Sequence, residues 1–179
     1  MLTTEQKLDS LLDFCDKLSY DQRIVYSDEG NLTARYKVVG PCQFAGEKPK
    51  GLWYSFGNAW PSYLFDEDES WSVKRLWGIT HIYELDLDFK KVLVIDNKSD
   101  FEDFERQVAK KDKSSVNWKK VAEQWSGIDV RFCRAKTLYG DDWSKWYYGW
   151  DVSSGCIWNR DAIRGIKLLK SWTPTWLEA

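Results

Sequence analysis

Apolar and polar positions alternate with two different periods along this chain, and the switches between the periods mark its elements. Leu8, Leu11, Leu12, Cys15 and Leu18 recur at the three-to-four-residue spacing of one helical face. Thr3 and Gln6 precede most of that face with the composition of a capping box, so an amphipathic helix is predicted over 3–18. Residues 32–39 alternate with period two instead. Leu32, Ala34, Tyr36 and Val38 point one way and Thr33, Arg35 and Lys37 the other, which predicts a half-buried strand ended by Gly40-Pro41.

A second strand is predicted over 51–56 (GLWYSF). Residues 57–72 are polar and acidic and predict a surface loop or a short helix. Over 80–88, Ile82, Glu84, Asp86 and Asp88 lie opposite Tyr83, Leu85 and Leu87, and the apolar run of 91–96 predicts a buried strand. Ser99 and Glu102 read as a second capping box that starts a helix. Asn117 caps the next, whose apolar face is Trp118, Val121, Ala122 and Trp125, and Gly127 ends it. Further strands are predicted at 128–133, 146–152, 155–159 and 164–170. Strands gather toward both ends with helices between them, which predicts an α+β fold and not a regular βαβ alternation. With no repeat and no linker, the chain reads as a single domain over 1–179, with its α+β core over 32–170.

Composition changes this picture at one point: the chain holds 12 Trp, 9 Tyr and 8 Phe in 179 residues. Large aromatics fill cores by default, and they also stack on flat ligands. The formal net charge of −2 argues against a nucleic-acid footprint over the whole chain. One local basic stretch remains, Lys110, Lys111, Lys113, Lys119 and Lys120, whose default reading is a solvated helix face and loop. Cys15, Cys42, Cys133 and Cys156 form no CxxC pair and there is one His, so no metal site is expected. Reduced cysteines, the lack of a signal-peptide pattern and the lack of a long apolar run lead to the expectation of a cytoplasmic protein with no membrane span.

Familiar catalytic signatures are missing: no Walker phosphate loop, no GxGxxG and no GxSxG. His81 sits in an alternating strand and reads as structural. Two motifs hold the candidate chemistry. In KPKGLWYS (48–55), Gly51 would let a ligand approach the backbone, Tyr54 and Ser55 carry hydroxyls, and Trp53 and Tyr54 project to opposite faces. The alternative is a well-packed strand with a glycine turn. In WYYGWDVSSGCIWN (146–159), Trp146, Tyr147, Tyr148, Trp150 and Trp158 surround Asp151, Ser153, Ser154 and Gly155. A carboxylate among aromatics would be pushed up in pKa unless hydrogen-bonded. The alternative there is a β-turn, since Asp–Val–Ser–Ser–Gly has turn composition.

At these two motifs the chain resembles a family of small phage and bacterial proteins with KPxGLWyS and WDxxSGCIWN patterns, over roughly residues 48–159. Its layout also resembles the ADP-ribosyltransferase fold, in which two small packed β-sheets with flanking helices bind NAD in a cleft. That resemblance implies an NAD-dependent ADP-ribosyltransferase, a pentosyl transferase that uses NAD as substrate and acts as a toxin or in phage defence. It implies catalytic roles for Arg35 (cofactor phosphate or ribose), Ser55 (beside the nicotinamide, with Tyr54) and Asp151 (the late carboxylate that stabilises the charged ribose). Gly51, Trp53, Tyr54, Ser154, Trp158 and Asn159 would line the cofactor. The family's late residue is usually Glu, one methylene longer than Asp, and Glu84 and Asp129 also lie on strands and compete with Asp151 for the role. The expected acceptor is RNA, single-stranded DNA or a protein side chain, and an antitoxin or another protein partner is expected too. Two rivals remain: a non-catalytic nucleotide-binding module that uses Trp53, Trp150 and Trp158, and a partner-binding protein whose Trp residues form core and interface.

Overall fold

The computed structural model describes residues 4–28, 30, 32, 48–66, 76, 78–131, 145–147 and 150–172. The predicted strand over 32–39 lies outside them except for Leu32, and so do Arg35, Cys42, Cys133 and the Thr3 cap. The fold is mixed α+β, with seven strands and four α-helices among the described residues. The chain forms two compact units, each assembled from separate segments: Met1–Tyr36, Tyr54–Asp86 and Gly165–Ala179 in the first, Lys37–Trp53 and Leu87–Arg164 in the second.

The first unit contains α1 (Thr4–Cys15), β1 (Arg23–Ser27), the Tyr54–Phe56 half of β2 (Leu52–Phe56), α2 (Ala59–Asp66), most of β3 (His81–Leu87) and, from Gly165 on, the strand β7 that spans Ile163–Ser171. β1, which the periodicity did not single out, is central: it pairs antiparallel with β2 through Ile24↔Ser55 and with β3 through Ile24↔Glu84. Five residues are too short to display a period, and RIVYS is buried at its start on both faces. Leu11 and Cys15 of α1 pack with Ile24, Leu64, Ile82 and Trp172. Leu64 explains why 57–72 begins with a helix: its side chain is fully buried in that cluster. Gly57 is in the left-handed region at φ 48°, where a Cβ would stand 2.8 Å from the Ser19 carbonyl oxygen.

The second unit contains the other half of β2, β4 (Val92–Ile95), α3 (Lys98–Val108), α4 (Trp118–Ala122), β5 (Gly127–Val130) and β6 (Ser154–Ile157). β4 and β5 run parallel in register from Val92↔Gly127 to Ile95↔Val130, with α3 and α4 as the crossover that parallel strands require. β6 returns antiparallel to β5 through Ile128↔Cys156 and Asp129↔Gly155. Phe101, Phe104 and Glu105 are the buried positions of α3, at helical spacing, and each buried phenylalanine contributes roughly 1.5–3 kcal/mol.

Three local expectations are corrected here. The cap of α3 is Asn97, whose side chain accepts from the Asp100 backbone N–H at 3.1 Å, and Glu102 of the predicted box pairs with Lys98 instead. Gly127 opens β5 and does not end α4; a Cβ there would stand 2.9 Å from the Cys156 backbone oxygen, so close strand packing requires the glycine. Residues 146–152 form no strand among the described positions: a 3-10 turn covers Lys145–Tyr147 and the Trp150 N–H donates to the Tyr147 carbonyl. A strand would alternate its side chains, whereas Trp146, Tyr147 and Trp150 all enter one core. The Asn117 cap of α4 is as predicted, accepting from the Lys120 N–H.

Candidate functional site

The early motif is held by its own backbone. The Pro49 carbonyl accepts from the Trp53 indole N–H at 3.2 Å and from the Cys156 thiol at 3.6 Å. Gly51 follows, exposed, with its would-be Cβ only 2.3 Å from the Ile157 carbonyl oxygen. Its backbone therefore approaches β6 more closely than any side chain would allow. Trp53 is half-buried and meets the buried Trp150 edge-on at 4.8 Å. The Lys48 ammonium lies 5.1 Å from the Trp53 ring centre, within cation–π range. Desolvation draws the Lys48 pKa below the ordinary lysine value, and the Asp151 carboxylate acts against that shift. Lys48, Trp53, Trp150 and Asp151 thus form one cluster in the second unit: a cation, an aromatic face, a buried indole and an exposed carboxylate.

The rest of the late motif is structural in its contacts. The Ser153 hydroxyl donates to the Arg131 carbonyl at 3.0 Å and the Ser154 hydroxyl to the Val152 carbonyl at 2.9 Å. Trp158 is buried, donates its indole N–H to the Trp125 carbonyl at 2.7 Å and packs against Trp118. Its ring is part of the core. Asn159 caps the 3-10 turn Arg160–Ala162 by accepting from the Asp161 N–H.

Tyr54 and Ser55 belong to the first unit, and both are buried. Ser55 and Glu84 are both cross-strand partners of Ile24, on either side of it, so their side chains share one face of that unit. Glu84 accepts from the Gln22 side-chain amide at 3.0 Å. The third carboxylate, Asp129, is wholly buried on β5 and receives the Arg131 Nε–H at 3.0 Å. The three rival carboxylates therefore differ in kind. Asp151 is exposed beside a lysine, Glu84 is half-buried and hydrogen-bonded, and Asp129 is buried and ion-paired.

Two buried side-chain polar atoms have no hydrogen-bond partner among the described residues: the Ser55 hydroxyl and the Trp150 indole nitrogen. Each belongs to one of the two motifs that the sequence sets apart. Lys48 was missed as a site residue although it opens the early motif; a lysine five residues before a tryptophan has no periodic signal. Compared with protein-family models, curated proteins and solved structures, the chain matches none.

Proposed function

We propose that this chain is an NAD-dependent ADP-ribosyltransferase, built on a fold of that type, with a nucleic-acid base or a protein side chain as acceptor. One observation carries the reading: the two motifs each hold a buried polar atom without a partner among the described residues, the Ser55 hydroxyl and the Trp150 indole N–H. An unsatisfied buried group costs about 1–3 kcal/mol, and native proteins keep few of them. A ligand amide or carbonyl group, such as that of nicotinamide, would relieve that cost at the Ser55 hydroxyl.

The reaction asks the protein mainly for electrostatics. The bond from ribose C1′ to the nicotinamide nitrogen breaks, and its electron pair leaves with nicotinamide. The acceptor's nucleophile then bonds to C1′ and gives up its proton to solvent. Positive charge passes through the ribose, and an exposed carboxylate such as Asp151 stabilises it. In this reading Trp53 stacks on a flat ring, Gly51 lets the early motif pack closely against β6, and Tyr54 and Ser55 sit beside the nicotinamide. Arg35 contacts phosphate or ribose, while Ser154, Trp158 and Asn159 hold the strand and turn that follow Asp151.

A second reading, a non-catalytic nucleotide-binding module, is favoured by Lys48. Its charge interacts with that of Asp151, which weakens the carboxylate as a stabiliser of another cation. One experiment separates the two. The full chain is incubated with NAD, and nicotinamide release is measured with and without RNA, single-stranded DNA and protein extract, alongside NAD binding by Trp fluorescence. Release that Asp151→Ala abolishes supports the transferase. Release lost in Glu84→Gln but kept in Asp151→Ala moves the role to Glu84. Binding without release supports the module, and neither binding nor release rejects both.

A further inference from the structure

A cavity of about 390 Å³ lies in the second unit at the C-terminal end of α3, lined by Glu102, Glu105, Arg106, Lys110, Lys111 and Lys113 among others. Its two carboxylates are already engaged. Glu105 takes the Trp146 indole N–H and pairs with Lys113 at 3.7 Å, and Glu102 pairs with Lys98 at 3.6 Å. Arg106 pairs with Asp103 at the surface, an exposed contact that holds the guanidinium weakly. Lys110 and Lys111 are exposed, and their ammonium groups have no partner among the described residues. The charge left for an incoming ligand is therefore positive.

The basic surface also continues beyond the cavity. Lys120 donates its ammonium to the Gln107 carbonyl at 3.1 Å, which brings α4 against the residue after Arg106, and Lys119 beside it is exposed. The Ala109↔Val116 bridge joins the end of α3 to the segment that leads into α4. Lysines thus stand both in the lining of the cavity and on the neighbouring helix α4. A lone carboxylate or phosphate would use one end of this row; a chain of phosphates would use its length.

We propose that this cavity and its basic rim bind the phosphate backbone of a single-stranded nucleic acid. The contact is independent of base identity, since the recognising groups are ammonium and guanidinium. It stands apart from the NAD reading and is measured without NAD.

The test titrates the full chain into short fluorescein-labelled oligo(U) and oligo(dT) and reads anisotropy at several salt concentrations. Binding should fall as salt rises, with a log–log slope of about −0.7 for each phosphate neutralised. Lys110→Gln with Lys111→Gln should weaken binding roughly tenfold and lower that slope by about 1.4. The matching pair of Lys→Arg changes should bind like the parent, and so should a control with Lys17→Gln and Lys167→Gln, which removes equal charge elsewhere. The proposal is overturned if no salt-dependent binding occurs, or if the Lys110/Lys111 glutamine pair binds like the parent. It is also overturned if a poly-glutamate peptide competes as well as the oligonucleotide, since the site would then be one for acidic proteins.

Discussion

The indole N–H of Trp146 donates to the carboxylate of Glu105 across 2.8 Å, and both residues are buried. Glu105 is the polar position on the apolar face of α3, one turn after Phe101, whose ring stacks on Trp146 at 5.3 Å. Lys113 completes the arrangement from a left-handed backbone conformation at φ 53°. Glu105→Leu leaves the indole N–H unpaired and should lower unfolding free energy by about 1–3 kcal/mol. Glu105→Gln keeps an acceptor and should cost less. Urea denaturation of both variants checks this; equal losses would mean that the indole bond is not what Glu105 supplies.

Gly51 tests the close approach of the early motif to β6. A Cβ there would sit 2.3 Å from a backbone oxygen and 2.8 Å from Cys156 Sγ, and backbone cannot swing aside as a flexible side chain can. Gly51→Ala should destabilise the protein by about 1–3 kcal/mol, the usual range for overpacking. Gly78→Ala is the control, because nothing lies within 4 Å of its would-be Cβ. A thermal melt comparing the two reads the difference.

Ser55→Ala should separate function from stability. Its hydroxyl is buried without a partner among the described residues, so removing it relieves an unsatisfied group and should leave the melting temperature unchanged or higher. NAD binding, in the proposed reading, should weaken in the same variant. A clear drop in melting temperature would show that the hydroxyl has a structural partner.

Asp151 is exposed and its charge interacts with that of Lys48, so Asp151→Asn should lower unfolding free energy by no more than about 1 kcal/mol, the range of a surface ion pair. Nicotinamide release, if Asp151 is the catalytic carboxylate, should fall by roughly two orders of magnitude or more. A large loss of stability would make Asp151 a turn residue of the late motif.

Burial pushes the Cys15 thiol up from 9.0 to about 12, partly offset by its hydrogen bond with Tyr26. The folded pKa is the higher one, so this contribution to stability is complete below about pH 9 and is lost as pH rises toward 12. Within that window the slope reaches about 1.4 kcal/mol per pH unit. Denaturation midpoints of the parent and of Cys15→Ala, measured from pH 8.5 to 10.5, check the sign. The parent should lose stability faster with rising pH, and parallel curves would refute the assignment.

Much of the fold was legible from period and capping. The face of α1, the alternation behind β3, the apolar run of β4 and the Asn117 cap each depend on neighbours in sequence, and each is present. What escaped was decided by distant neighbours. β1 is too short to show a period and is recognised only by its two partners. Trp146, Tyr147 and Trp150 read as a strand because aromatics favour strands, yet a common core drew them to one side. Trp158 was expected at a ligand, and its indole is bound to the Trp125 carbonyl within the core.

The candidate site divides in the same way. Sequence alone determined which motifs to examine, because their density of Trp, Gly, Ser and Asp is a local property of composition. It also determined the α+β class, which follows from the order of the two periods. Only the tertiary structure decided which groups in those motifs are satisfied. Ser154, Trp158 and Asn159 have partners within the fold, while the Ser55 hydroxyl and the Trp150 indole N–H, both buried, have none among the described residues. The physical reason is that hydrogen-bond satisfaction depends on what folding brings within about 3 Å, and that is set by distant segments of the chain.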